Sequence, residues 1–312
     1  MPHSDNPASA PGHADALAGH APVPSAHLLV AAVVNLVWGF NMVAAKFAVE
    51  AVGSIAAGGL RMAVVLLVCL PWLRIVPGRM RALAVIGFVN GVLFLVITNV
   101  AIKVADNMGA LAVASQLGVP MSLVLGVLFL KERIRWPRAI AVALAFGGVV
   151  VMGFDPAIVD DRLGLALVAL ASLVWAIGTL LFRRLVGVPV MTSYAWIAAF
   201  SVPAMIAGTL LFEPQDVARI PHMPPIAIGA ILFSALGSTI LGQGGMTWLL
   251  QRHSVSVVAP LTLASPLIAT VSTVMVFHSV VTVQMVVGGL MTLLGVSIIV
   301  IRSARARPEL KP

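Results

Sequence analysis

A few polar side chains stand inside long apolar runs, and their types and spacing limit the chemistry open to them. The run Leu36 to Val49 carries Trp38, Asn41 and Lys46. At about 100° per residue, Asn35, Trp38 and Lys46 share an arc of roughly 80°, with Asn41 about 60° further round. An indole N–H, an amide and an ammonium on one stripe can hydrogen-bond a polar solute and attract its carboxylate. The same stripe can instead be interhelical hydrogen bonding plus a lysine that reaches for the interface. Arg61 poses the same choice: it neutralises a carboxylate, or it caps helix carbonyls. Further along, Asn99 and Lys103 share a face, being four residues apart. Gln116 with Pro120, Gln243, and Pro266 supply neutral donors and kinks, and Trp175 supplies a second indole wall. A proline inside a membrane helix frees a backbone carbonyl for another donor.

Other chemistries lack their residues. The carboxylates near the apolar runs, Glu50, Asp106 and Glu132, stand at their ends. A proton relay through the runs therefore has no acid to use, and facilitated diffusion or exchange is expected instead. Paired histidines, a Gly-Lys phosphate loop, H-E-x-x-H and G-x-S-x-G are missing, which argues against a catalyst and against ATP as fuel. Cys69 is the single cysteine, so a cysteine metal cluster is excluded. His3, His13, His20 and His27 are irregularly spaced and read as a solvated tail. No cofactor and no metal are expected.

The elements that must hold these residues follow from composition. The 312 residues are 60% hydrophobic and 10% charged, and the mean hydropathy is +1.07. So much apolar surface belongs in lipid. The net charge of +8 is spread over short loops, unlike a nucleic-acid-binding face. Ten apolar runs follow a tail of residues 1–26, rich in Ala, Pro and His and expected to be disordered: 27–48, 55–73, 81–103, 108–130, 138–154, 163–185, 190–212, 225–250, 255–277 and 280–301. The fifth is the shortest. The fold class is an all-α polytopic membrane protein of ten transmembrane helices. With the N-terminus inside, fourteen of the 19 Lys and Arg fall on the inner side, four on the outer, and Arg61 within a span. That bias places both termini, including the basic tail 302–312, in the cytoplasm of a bacterial inner membrane.

The chain also repeats itself. Leu-Val-Trp at Trp38 returns at Trp175, 137 residues on; Pro120 is echoed by Pro266, Phe129 by Phe277 and Gly147 by Gly295. Two units of five helices, 27–154 and 163–301, result. An odd number of crossings starts the second unit from the opposite side, so the two are inverted repeats. That construction suits alternating access, in which each half adopts the other's conformation.

Trp38-Gly39-Phe40-Asn41 with Lys46, Gly59-Leu60-Arg61, Lys131-Glu132-Arg133 and the Arg252 to Val258-Ala259-Pro260-Leu261 region resemble the drug/metabolite transporter superfamily. More closely, they are similar to its EamA-type ten-helix exporters of amino acids and metabolites. The resemblance spans the chain after residue 26. It implies an inner-membrane carrier with a central cavity between halves, taking a small-molecule substrate. One departure stands out: the family's acidic residue after the ninth helix is replaced here by Phe277-His278-Ser279-Val280. The resulting expectation is export of a small metabolite, an amino acid or derivative, by alternating access. The alternatives are a carrier of drugs, nucleosides or sugars, and a membrane sensor or assembly partner that moves nothing. The sequence leaves the oligomeric state open.

Overall fold

The computed structural model describes residues 24–130, 135–185, 187–253 and 255–306. Lys131, Glu132 and Arg133 lie outside the described residues, as do His3, His13 and His20 and the tail beyond residue 306. Among the described residues there is no strand. The helices are α1 Ser25–Val52, α2 Ser54–Trp72, α3 Met80–Val104, α4 Met108–Phe129, α5 Trp136–Gly153, α6 Arg162–Phe182, α7 Val190–Phe212 and α8 Pro225–Leu250. α9 has two pieces, Val255–Leu261 and Ala264–Phe277, and α10 is Val283–Ala306. Eighteen residues rise about 27 Å, so even α5 spans most of a ~30 Å hydrocarbon layer. The interrupted helix is therefore the ninth rather than the fifth.

The interruptions have local causes. Pro266 has no N–H for the carbonyl of Thr262 and its ring crowds that turn, and α9 breaks between Leu261 and Ala264. Pro120 stands in the same relation to Gln116, and α4 tightens there into a 3₁₀ turn over Ser115–Leu117. α3 and α8 each contain a π-helical stretch, Gly87–Leu93 and Phe233–Gly242. Fourth matches ninth and third matches eighth, as a repeat of five demands.

Packing obeys the same pairing. α1 packs on α8 and α9; α6 packs on α3 and α4; α2 packs on α7 and α5 on α10. The directions can be read from contacts. Lys46, near the end of α1, bonds the Ala105 carbonyl, and Gly164, at the start of α6, packs against Ala105. The two tryptophan-bearing helices thus run oppositely through the layer. α5 and α10 also run antiparallel: Asp155 follows α5 and accepts from Thr282 ahead of α10, while Arg138 at the start of α5 donates to Arg302 O near the end of α10. Between them Gly148 faces Gly288, and a Cβ on either would overlap the other's carbonyl oxygen. This close approach substitutes for the hydrophobic drive that lipid removes. The fold is two inverted five-helix bundles.

Candidate functional site

Between the bundles lies a void lined by Ala45 and Ala48 of α1, Ala57 and Arg61 of α2, Asn99 of α3, and Ile231 and Ser234 of α8. Its empty space is about 240 Å³, of which about 10 Å³ is open to the centre of a water molecule. That is room for roughly one water, so the chamber is narrow in this conformation. The three alanines set its width, and the polar groups set its chemistry.

Arg61 is seven residues past Ser54, hence about 10 Å inside the layer. An arginine at such depth costs roughly 2.5–3.5 kcal/mol on insertion scales and needs acceptors. Its Nε and Nη2 both donate to Thr239 Oγ1, at 3.2 and 2.9 Å. Among the described residues Thr239 is its only hydrogen-bond acceptor, and no carboxylate pairs with it. Thr239 reaches this place because α8 is π-wound there: its hydroxyl donates to Ser234 O, five residues back, at 3.1 Å. Ser234 Oγ is buried and has no partner. Asn99 Nδ2 donates to Ser54 O at 2.9 Å, tying α3 to the start of α2.

Above the void a charged roof closes one end. Lys46 Nζ donates to Ile102 O and Ala105 O, at 2.9 and 3.0 Å, and pairs with Glu50 at 3.4 Å. It thus stabilises the carbonyl end of α3, where the helix dipole favours a cation. Glu213, at the end of α7, accepts from the Ser54 and Ile55 amides at 3.2 and 2.8 Å and pairs with Lys103 at 3.3 Å. The first amides of α2 thereby find a carboxylate. Asp216 is buried against Gly53, the one-residue link between α1 and α2, and pairs with Arg219 at 2.9 Å. Gly53 has φ +88°, which suits glycine alone among common residues.

Below the void, Asn41 and Trp38 continue the Ala45–Ala48 face of α1. Asn41 Oδ1 is buried without a partner. Trp38 Nε1 donates to Ser238 O at 3.1 Å and its ring packs on Gly242. Asn35 bonds Leu261 O at 2.6 Å, at the break in α9.

Of the residues singled out from sequence, Arg61 and Asn99 meet at the void. Trp38 and Asn41 lie further down the same face of α1, outside its lining, and Lys46 sits in the roof. Gln116 and Trp175 lie elsewhere, on α4 and α6: Trp175 packs on Gly118, and Gln116 makes a 3.4 Å contact with Ser115 Oγ. Among the described residues the Gln243 side chain has no hydrogen-bond partner, and Gly245 nearby packs against Val34 of α1. Pro266 stands just past the break in α9, and its carbonyl accepts from Thr270 at 3.0 Å. His27 leaves the tail and contacts His253 at 2.6 Å between ring nitrogens. Sequence reasoning missed Thr239, Ser234 and Glu213. The first two were visible as hydroxyls in the eighth run. Glu213 reads as a loop acid until its partners are known.

A sequence model of the EamA-like transporter family matches residues 25–154 and again residues 162–301. An uncharacterized transporter of Archaeoglobus fulgidus is 26% identical over 278 residues, covering 87% of this chain and 98% of its own. A probable amino-acid metabolite efflux pump of Salmonella typhimurium is 25% identical over 281 residues, covering 86% and 93%. A similarly named pump of Escherichia coli is 22% identical over 278 residues. A solved crystal structure at 17% identity superposes with a TM-score of 0.57 over 91% of this chain and 99% of that one, which is a likeness of fold.

Proposed function

The chain belongs to the EamA-like transporter family, and from that premise we propose that it exports a small carboxylate-bearing metabolite, an amino acid or a derivative, by alternating access. The observation that carries this reading is Arg61, a guanidinium at a void between inverted bundles with only a hydroxyl for an acceptor among the described residues. A guanidinium has five N–H donors, and a carboxylate satisfies two of them side by side. The naming of the Salmonella relative as an amino-acid metabolite pump agrees with that ligand class.

Each residue has a part in this reading. Arg61 holds the carboxylate, with Thr239 fixing the guanidinium plane. Asn99 and Ser234 offer neutral hydrogen bonds. Asn41 and Trp38 line the path away from the roof, and Lys46, Lys103 and Glu213 form the roof. Gln116, Trp175, Gln243 and Pro266, outside the lining of the void in this conformation, are the further substrate contacts of this reading. The arginine-rich face is cytoplasmic in a bacterial inner membrane, and the acid-bearing roof faces outward. The acids stand at helix ends, so transport proceeds as facilitated diffusion or exchange. A pH gradient imposed on vesicles tests this: strong gradient-dependent accumulation defeats it.

The main test is counterflow of labelled amino acids in proteoliposomes. Arg61→Ala lowers carboxylate flux by roughly tenfold to a hundredfold, as loss of a charged hydrogen bond of about 1.5–3 kcal/mol implies. Arg61→Lys, lacking the planar fork, recovers part of it. Wild-type carboxylate flux in a correctly inserted Arg61→Ala protein removes the assignment. Flux of neutral solutes alone moves the protein to another substrate class. Asn41→Ala and Trp38→Ala also impair flux while insertion is kept.

A further inference from the structure

At the arginine-rich face, away from the void, a second cleft of about 320 Å³ opens between the start of α3 and the end of α6. Its rim carries Arg79, Arg81 and Arg184, and its wall is Ala82, Val85 and Leu181. Arg79 Nη1 donates across it to Arg184 O at 2.6 Å, which fixes one guanidinium in place. The side chains of Arg81 and Arg184 have no acceptor among the described residues. Nor is there a carboxylate to neutralise them: every described Asp and Glu belongs to the opposite face or its loops. The floor is a packed cluster around Leu83, Ile86, Leu185 and Ile197, so the cleft is preformed.

One wall continues as a lane for hydrocarbon. Val85 follows Arg81 by four residues and Phe88 by seven, which places all three on one side of α3. Val85 and Phe88 are half exposed. Three cations at the level of the headgroups, above an apolar lane at the level of the chains, match a phosphodiester that carries acyl tails. A free phosphate would use the rim and leave the lane idle.

We propose that this cleft binds the phosphate headgroup of an anionic phospholipid in the leaflet on the arginine-rich side, with an acyl chain laid along Val85 and Phe88. Arginine is suited to this role because its fork meets phosphate oxygens in pairs. The bound lipid bridges α3 and α6, which belong to different bundles, alongside the Arg79–Arg184 bond that already joins them there.

The test measures lipid retained by the full chain in native mass spectrometry after exposure to phosphatidylglycerol or phosphatidylcholine in mixed micelles. Wild type retains phosphatidylglycerol at least fivefold over phosphatidylcholine. Arg81→Gln/Arg184→Gln brings the ratio to about one, whereas the control pair Arg135→Gln/Arg252→Gln on the same face keeps it. Ala82→Trp fills the cleft with all three arginines in place and also abolishes the preference, which covers the case of a double variant that fails to fold. Equal retention of the two lipids by wild type, or an unchanged ratio in both cleft variants, overturns the proposal. Displacement of phosphatidylglycerol by millimolar inorganic phosphate overturns the lipid source and leaves a site for a soluble phosphate.

Discussion

The two faces of the molecule are fastened by different chemistry. On the acid-bearing face, carboxylates sit on helix N-termini and are buried. Glu213 holds the start of α2, and Asp161 accepts from the Asp106 and Asn107 amides ahead of α4, at 2.7 and 3.0 Å. Asn107 in turn caps α4 and donates to Val280 O. On the arginine-rich face, single donors at the starts of odd helices reach carbonyls at the ends of even ones. Arg79 donates to Arg184 O, Arg138 to Arg302 O, and Trp196 to Arg74 O. These bonds are solvent-exposed. A charged cap shielded from water is worth more than an exposed bond of the same length. On the proposed alternating-access reading, the difference makes the arginine-rich side the one expected to open with less work, with the void held just under the stronger roof.

The largest effect in this comparison belongs to Glu213→Ala. It strips two amides of their acceptor and leaves Lys103 without its 3.3 Å partner. The Glu213 side chain is only 10% exposed, so water does not replace the loss. A drop of about 2–4 kcal/mol in unfolding free energy is expected, read by denaturant titration in detergent. The roof also loosens. In a Cys69→Ser background, Ser234→Cys labels faster from the acid-bearing side once Glu213 is gone; an unchanged rate on that side breaks the comparison.

Lys46→Met comes next, at about 1–2 kcal/mol, because two carbonyls at the end of α3 lose a charged donor. Here the kinetics separate roof from void. Substrate affinity changes less than twofold in Lys46→Met but falls with Arg61→Ala. An equal fall in both places Lys46 among the groups that touch substrate.

Much of this scaffold could be read from the chain. Apolar length gave ten crossings, the echo of Trp38 in Trp175 gave the repeat, and five crossings per unit gave the inversion, because hydropathy and repetition survive as patterns along the sequence. The prolines marked the 3₁₀ turn in α4 and the break in α9, since the missing N–H is a property of the residue itself. The π-wound stretches of α3 and α8 were not legible. They cost one residue of register and leave composition unchanged, and they decide that Thr239 rather than a neighbour meets Arg61. The place of Lys46 was equally hidden. Its choice between substrate and helix end depends on where Ala105 stands, 59 residues away, which spacing within α1 cannot report.

The smallest effect tests the weaker face directly. Arg138 is partly buried, but its one 2.7 Å bond to Arg302 O is solvent-exposed, so Arg138→Ala costs less than about 1 kcal/mol. Its value lies in direction rather than size. Loosening α5 from α10 at the arginine-rich end leaves the roof intact. Labelling of Ser234→Cys from the acid-bearing side therefore stays at the wild-type rate, while labelling from the arginine-rich side stays equal or rises. A rise on the acid-bearing side alone means that the exposed bonds, and not the carboxylate caps, hold the void closed.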